Sequence, residues 1–147
     1  VNHLAGPSCV MFMWSTWPHL PQAMALMKAW GFAFSTGGAW VKRTPTGKPT
    51  FGTGYVLRSS TEPFLVGRIG KAKIASRSER NLIEVEEDIS ATLIDGLRRE
   101  HSRKPPEMRA MIERLLPDVC CAELFAREPW PGHDIWGDQT DKFGGIS

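Results

Sequence analysis

Cys9-Val10-Met11-Phe12-Met13-Trp14 runs for six residues without a charge, an amide or a hydroxyl. So short and uninterrupted an apolar run suits a strand covered on both faces of a parallel sheet, and it predicts an α/β architecture. The pattern that follows agrees. Ser15 and Thr16 can cap a helix, and Pro18 and Pro21 fall where first turns tolerate proline. Leu20, Ala23, Met24, Met27 and Trp30 then recur at helical spacing until Gly31 ends the helix, and this methionine-rich stripe reads as core. Phe32 to Val41, Pro63 to Gly67 and Asn81 to Val85 read as three further strands. Glu86 to Leu97 reads as a short acidic-headed helix. Pro105 and Pro106 open a last helix with Met108, Met111, Ile112 and Leu115 on its core face, and Cys120 to Phe125 is the closing strand. Strands alternating with helices predict an open sheet with a ligand crevice at the carboxyl ends of its strands.

Composition narrows the functional classes. The 147 residues suit one domain, residues 1–147, with a real core. No apolar stretch approaches the roughly 20 residues of a membrane span, so no membrane partner is expected. Cys9, Cys120 and Cys121 form no CxxC pair and the four histidines are scattered, so no metal site is expected. Their odd number points to reduced thiols and a cytoplasmic location. The net charge of +2 conceals an asymmetry: between Lys42 and Arg80 stand nine bases and only two acids, Glu62 and Glu79. Two basic loops, 43–54 and 68–80, lie in this stretch. An ordinary solvated face accounts for such a segment, and so does a surface that tracks nucleic-acid phosphates. Gly52-Thr53-Gly54 lacks the third glycine and the strand-to-helix setting of a dinucleotide fingerprint.

The carboxyl-terminal stretch carries the chemistry. Glu123-Leu124-Phe125-Ala126-Arg127 is followed by Trp136-Gly137-Asp138-Gln139, and His101-Ser102-Arg103-Lys104-Pro105 stands just before the last helix. An apolar run that ends in a carboxylate and a guanidinium makes sense where a strand opens into a crevice. A lysine, an arginine and an acid–amide pair could hold one ligand from three sides. That is the polar inventory for an amino-acid carboxylate and a ribose diol.

In these stretches the chain resembles the N6-adenine methyltransferases that include the catalytic subunit of the eukaryotic messenger-RNA adenine methyltransferase and its bacterial and phage DNA-modifying relatives. The matching blocks are Val10 to Trp14, Leu26 to Phe32, Trp40 to Lys42, Gly52 to Tyr55, Glu62 to Gly67, Ser102 to Pro105, Met111 to Leu115, Glu123 to Arg127 and Trp136 to Gln139, and they follow in order. The resemblance implies a Rossmann-like, S-adenosylmethionine-dependent methyltransferase sheet with flanking helices, acting on DNA or RNA. It implies that Lys104 reaches the donor's methionine carboxylate. Arg127, Asp138 and Gln139 would hold the ribose hydroxyls, with Glu123 beside them. Asp138 stands where the family usually has Asn. Trp40 and Glu62 would line the pocket for the target adenine, with Lys42 and Arg99 near the nucleic-acid path. Taken alone, Trp40 is equally a core tryptophan and Glu62 a solvated strand-edge charge.

One family signature, Asp-Pro-Pro followed by Trp or Tyr, occurs nowhere in the 147 residues. It normally precedes the strand that begins here at Cys9. Its carboxylate and a backbone carbonyl accept the N–H bonds of the adenine amine and localise its lone pair toward the methyl group. The first eight residues, from Val1, read as a connector cut from something longer, so the expectation is a methyltransferase sheet with its N-terminal portion missing. Its partner would be that segment or a second methyltransferase-like subunit. Alternative readings are a non-catalytic nucleic-acid-binding subunit that supports an active partner, and an unrelated nucleotide-binding α/β domain.

Overall fold

In a computed structural model of the chain, residues 1, 3–44, 46–50, 52, 54, 56–86 and 104–142 are described. The helix expected over Glu86 to Leu97 lies, beyond Glu86 itself, outside them. Two compact units divide the chain, Val1–Arg99 and Glu100–Ser147.

The first unit is a four-stranded mixed sheet. Its elements are β1 (Cys9–Trp14), a 3-10 turn (Trp17–His19), α1 (Leu20–Ala29), β2 (Ala33–Arg43), β3 (Thr61–Ile69) and β4 (Leu82–Glu86). The strand order is β1-β3-β2-β4, with β3 antiparallel to both neighbours and β4 parallel to β2. β1 and β2 therefore run in the same direction, joined by α1, and β3 returns between them. This corrects the all-parallel setting expected of Cys9 to Trp14. β1 has β3 as its one neighbour among the described residues, and all six of its residues are half-buried. Apolar composition reports that a strand is covered, not which way its neighbour runs.

Side chains alternate across the sheet and give it two different faces. On one, Met27 of α1 is 1% exposed and packs with Phe32 and Leu65, ringed by Cys9, Met11, Met13, Leu20, Ala23, Trp30 and Ile69. Gly67 makes this packing possible, since a Cβ there would stand 2.7 Å from Met27 Sδ and 3.0 Å from Phe32 Cβ. Burial pushes the Cys9 thiol above its ordinary pKa, which keeps it in its poorly nucleophilic form. The opposite face is aromatic: Trp14 stands edge-on to Trp40 and Phe64, with ring centroids 6.0 and 5.5 Å apart. Gly38 leaves room there for the Phe64 ring.

The core reading of the methionine stripe holds for Met27 but not for Met24, which is 45% exposed. Gly31 ends α1 at φ +82°, with its amide bonded to Lys28 O. The expected hydroxyl cap is absent; Thr16 Oγ1 instead meets His19 Nδ1 at 2.7 Å.

The second unit consists of α2 (Pro106–Leu115), β5 (Ala122–Leu124) and β6 (Asp134–Trp136), with β5 and β6 parallel. Met108 and Met111 of α2 are buried with Leu116, Ala126 and Trp130. The strand expected over Cys120 to Phe125 shrinks to three residues. Phe125 leaves it at φ +63° and is 73% exposed, so the ladder stops where the backbone turns left-handed. No helix among the described residues is long and apolar enough to cross a membrane.

Met27→Ala should reduce the stability of the first unit by about 2–5 kcal/mol, the range for deleting a large apolar side chain from a packed core. Phe34→Ala, half exposed, should change it by less than about 1 kcal/mol. Urea unfolding followed by tryptophan fluorescence separates the two.

Candidate functional site

Because β5 and β6 are parallel, their carboxyl ends open at the same place, where ligands bind in open α/β sheets. Four of the five expected donor residues sit at or just past these ends. Glu123 lies within β5 and Arg127 three residues beyond it, both half-buried, while Asp138 and Gln139 follow β6 directly and are exposed. The two ends are stitched together, since the Ala126 amide donates to Trp136 O at 3.0 Å. Gly137 allows this approach: a Cβ there would stand 2.7 Å from Ala126 O. Lys104, the fifth residue, is half-buried immediately before Pro105, the N-cap of α2.

Arg109 organises this end of the unit, and the sequence reading missed it. Its Nε donates to Glu123 Oε2 at 2.8 Å, its Nη1 to Pro129 O at 2.9 Å and its Nη2 to Glu128 O at 3.1 Å. Its guanidinium also lies 5.3 Å from the Trp130 ring centre. One rigid fork thus fixes α2, β5 and the loop after β5 at once. Glu123 is accordingly an ion-paired group that keeps one oxygen for a further donor. The sequence offered little signal for it: Arg109 lies in the first turn of a helix, and nothing in the spacing names Glu123 as its partner.

Phe125 and Trp136 form an exposed edge-to-face pair, 5.8 Å between centroids, at the same strand ends. Large exposed aromatics beside convergent polar groups suit a flat ligand. The amino ends of the two strands differ in character. A concavity of about 350 Å³ there is lined in part by Glu113, Asp118, Cys120 and His133. His133 Nδ1 accepts from the Cys121 amide at 3.2 Å, which leaves the ring proton on Nε2 facing Glu113 Oε1 at 3.7 Å. Glu113 also accepts from Trp130 Nε1 at 2.7 Å. This network ties α2 to the strands at the end away from the expected donor residues.

In the first unit, Trp40, Lys42 and Glu62 come together. Trp40 pairs with Glu62 across the β2–β3 ladder. Lys42 Nζ lies 2.8 Å from Glu62 Oε1 and 4.3 Å from the Trp40 ring centre. At 4% exposure, Trp40 belongs to the aromatic layer, with Lys42 over its ring. Arg99, the fourth expected substrate-side residue, lies outside the described residues, as do Thr53 and Tyr55 of the glycine-rich block. The basic segment from Lys42 to Arg80 is also less cationic than its own count implies, because Arg43 forks onto Glu84, an acid outside it, with bonds of 2.6 and 2.9 Å to Oε1.

The mixed sheet with a crossover helix, and a second unit with polar groups gathered at parallel strand ends, define an α/β protein of Rossmann-like design. Comparison with known proteins makes this specific. Residues 1–139 match the MT-A70 family model, and the chain belongs to that family, whose methyltransferase domain has this sheet with flanking helices. It is 29% identical over 140 residues to the type II methyltransferase M.MunI of a Mycoplasma species, covering 93% of the chain and 53% of that protein. It is 33% identical over 120 residues to an N(6)-adenosine-methyltransferase MT-A70-like protein of Arabidopsis thaliana, covering 80% and 16% respectively. It is 27% identical over 153 residues to the human N(6)-adenine-specific methyltransferase METTL4, covering 97% and 31%. The chain thus spans about half the length, or less, of these relatives.

Replacing Arg109 by Lys, which keeps the charge but loses the fork, should lower the stability of the second unit by about 1–3 kcal/mol. An unchanged urea midpoint would show that the Glu123 and loop contacts do not depend on the guanidinium.

Proposed function

We propose that the protein carrying this chain transfers a methyl group from S-adenosylmethionine to the N6 amine of adenine in nucleic acid, with DNA ahead of RNA as acceptor. The observation that carries this reading is the gathering of Glu123, Arg127, Asp138 and Gln139 at the joined carboxyl ends of β5 and β6, in a chain of the MT-A70 family. Relatives whose names specify N(6)-adenine or N(6)-adenosine methylation support the chemistry.

The donor set fits the ligand. When bound, S-adenosylmethionine supplies an electrophilic methyl group on a sulfonium. Lys104 offers an ammonium to its amino-acid carboxylate. Arg127, Asp138 and Gln139 provide the donors and acceptors that a ribose diol needs, and Arg109 holds Glu123 in place beside them. On the substrate side, Trp40 and Glu62 would receive the target adenine, with Lys42 and Arg99 along the nucleic-acid path. A base reaching the Trp40 face takes the place of Lys42 there, exchanging a cation–π contact for stacking. The amine must still be desolvated and its lone pair localised, and the 147 residues contain no Asp-Pro-Pro to do so.

A second reading makes the protein a non-catalytic subunit that binds nucleic acid and supports an active partner. Donor affinity and transfer together distinguish the two. Arg127→Ala should weaken binding of S-adenosylhomocysteine about 30-fold, the equivalent of roughly 2 kcal/mol for a lost charged hydrogen-bond pair. Unchanged affinity with the fold intact removes Arg127 from the donor site.

Transfer of tritiated methyl to DNA and RNA, followed by nucleoside analysis, tests the reaction itself. The 147-residue chain alone should give none, since each missing electrostatic anchor lowers a rate by about 10²–10³. Supplying an Asp-Pro-Pro-Trp segment, in cis or as a second polypeptide, should produce N6-methyladenine. Robust transfer by the isolated chain would mean that other residues do this chemistry.

A further inference from the structure

We infer that the loop following β3 forms a phosphate site built from Arg68, Lys73 and Arg77. These three cations line a cavity of about 470 Å³ whose remaining lining is Ala72 and Ile74. The loop is a formed structure. It turns at Gly70, φ +63°, where a Cβ would run into the carbonyl of Pro7, so no other residue type fits without strain. Arg68 then closes it, Nη2 donating to Ala72 O at 2.9 Å.

The charges are unbalanced. Lys42 and Arg43 have Glu62 and Glu84, but no described carboxylate lies within ion-pair distance of Arg68, Lys73 or Arg77. Arg68 is half-buried on β3, and its Nε is buried without an acceptor. A half-buried guanidinium with no counter-charge is unfavourable, and an anion in the adjoining cavity supplies that counter-charge beside it. Two arginines and a lysine around one cavity suit a group with several equivalent oxygens, and a phosphate offers them in the geometry that guanidinium forks match. Either a nucleic-acid backbone or a free phosphate could supply the group. The backbone source rests on the proposed function; the phosphate chemistry does not. Arg68 and Glu62 lie on one face of β3, six residues apart, so the site would stand about 20 Å along the strand from Glu62.

The test follows the Arg68 Nε–H resonance in the full chain while inorganic phosphate, an adenine-containing duplex and sodium glutamate are titrated at constant ionic strength. Phosphate should shift it saturably and glutamate should not, and Lys73→Gln with Arg77→Gln should abolish the shift while leaving the fold's spectrum unchanged. If the duplex shifts the same resonance at a lower phosphate concentration, the site holds the backbone. If inorganic phosphate shifts it and the duplex binds without doing so, it is a site for free phosphate.

The salt dependence of duplex binding adds a second signature. One shared phosphate predicts that removing all three cations lowers the log–log slope by about 1 in total. Three independent surface contacts would instead lower it by about 3 in sum. No shift with either phosphate source, or equal shifts with glutamate, overturns the site. A duplex that binds nowhere on the chain while phosphate still shifts Arg68 overturns the nucleic-acid reading and leaves the phosphate site standing.

Discussion

The fork of Arg109 onto Glu123 and the carbonyls of Glu128 and Pro129 is the contact on which the second unit turns. β5 and β6 are three residues each and pair only with one another among the described residues, too little ladder to define a strand end by itself. What fixes that end is a planar cation reaching from α2 into the strand and the loop beyond it. Phe125, left-handed and exposed, then turns the chain so that Arg127 and the Asp138–Gln139 pair follow two stitched strand ends. A polar network is as firm as its weakest satisfied member, and here the hydrogen bonds of the guanidinium go to two backbone carbonyls and a carboxylate carried on β5.

Much of this was legible in the sequence, for reasons that differ from element to element. Strand and helix identity came through because apolar runs and helical spacing report burial: Cys9 to Trp14, Met27 and the Met108–Met111 face appear where the pattern puts them. Direction did not. Nothing in Pro63 to Gly67 says that this strand returns antiparallel between β1 and β2, since alternation is the same in either sense. Trp40, Lys42 and Glu62 were named as separate residues through the family resemblance, and the β2–β3 register is what makes them one cluster. Arg109 escaped notice because its role depends on Glu123, fourteen residues away, and an arginine on a helix face ordinarily means solvent.

Charge was the property most distorted by reading in one dimension. The count from Lys42 to Arg80 treats every base alike, whereas the fold divides them. Lys42 and Arg43 are neutralised by Glu62 and Glu84 at the β3 and β4 neighbours of β2. Arg68, Lys73 and Arg77 keep their charge around one cavity. The positive field is therefore focused where none of the described acids pairs with it, and such focusing attracts anions more strongly than net charge suggests.

The central claim is that the carboxyl ends of β5 and β6 carry the donor site. The most direct measurement is amide chemical-shift mapping with S-adenosylhomocysteine on the intact chain. The account predicts perturbations concentrated at Glu123 to Arg127 and Trp136 to Gln139, with Lys104 at the start of α2. Perturbations concentrated instead at Asp118, Cys120 and His133, around the concavity at the amino ends of the same strands, would contradict it.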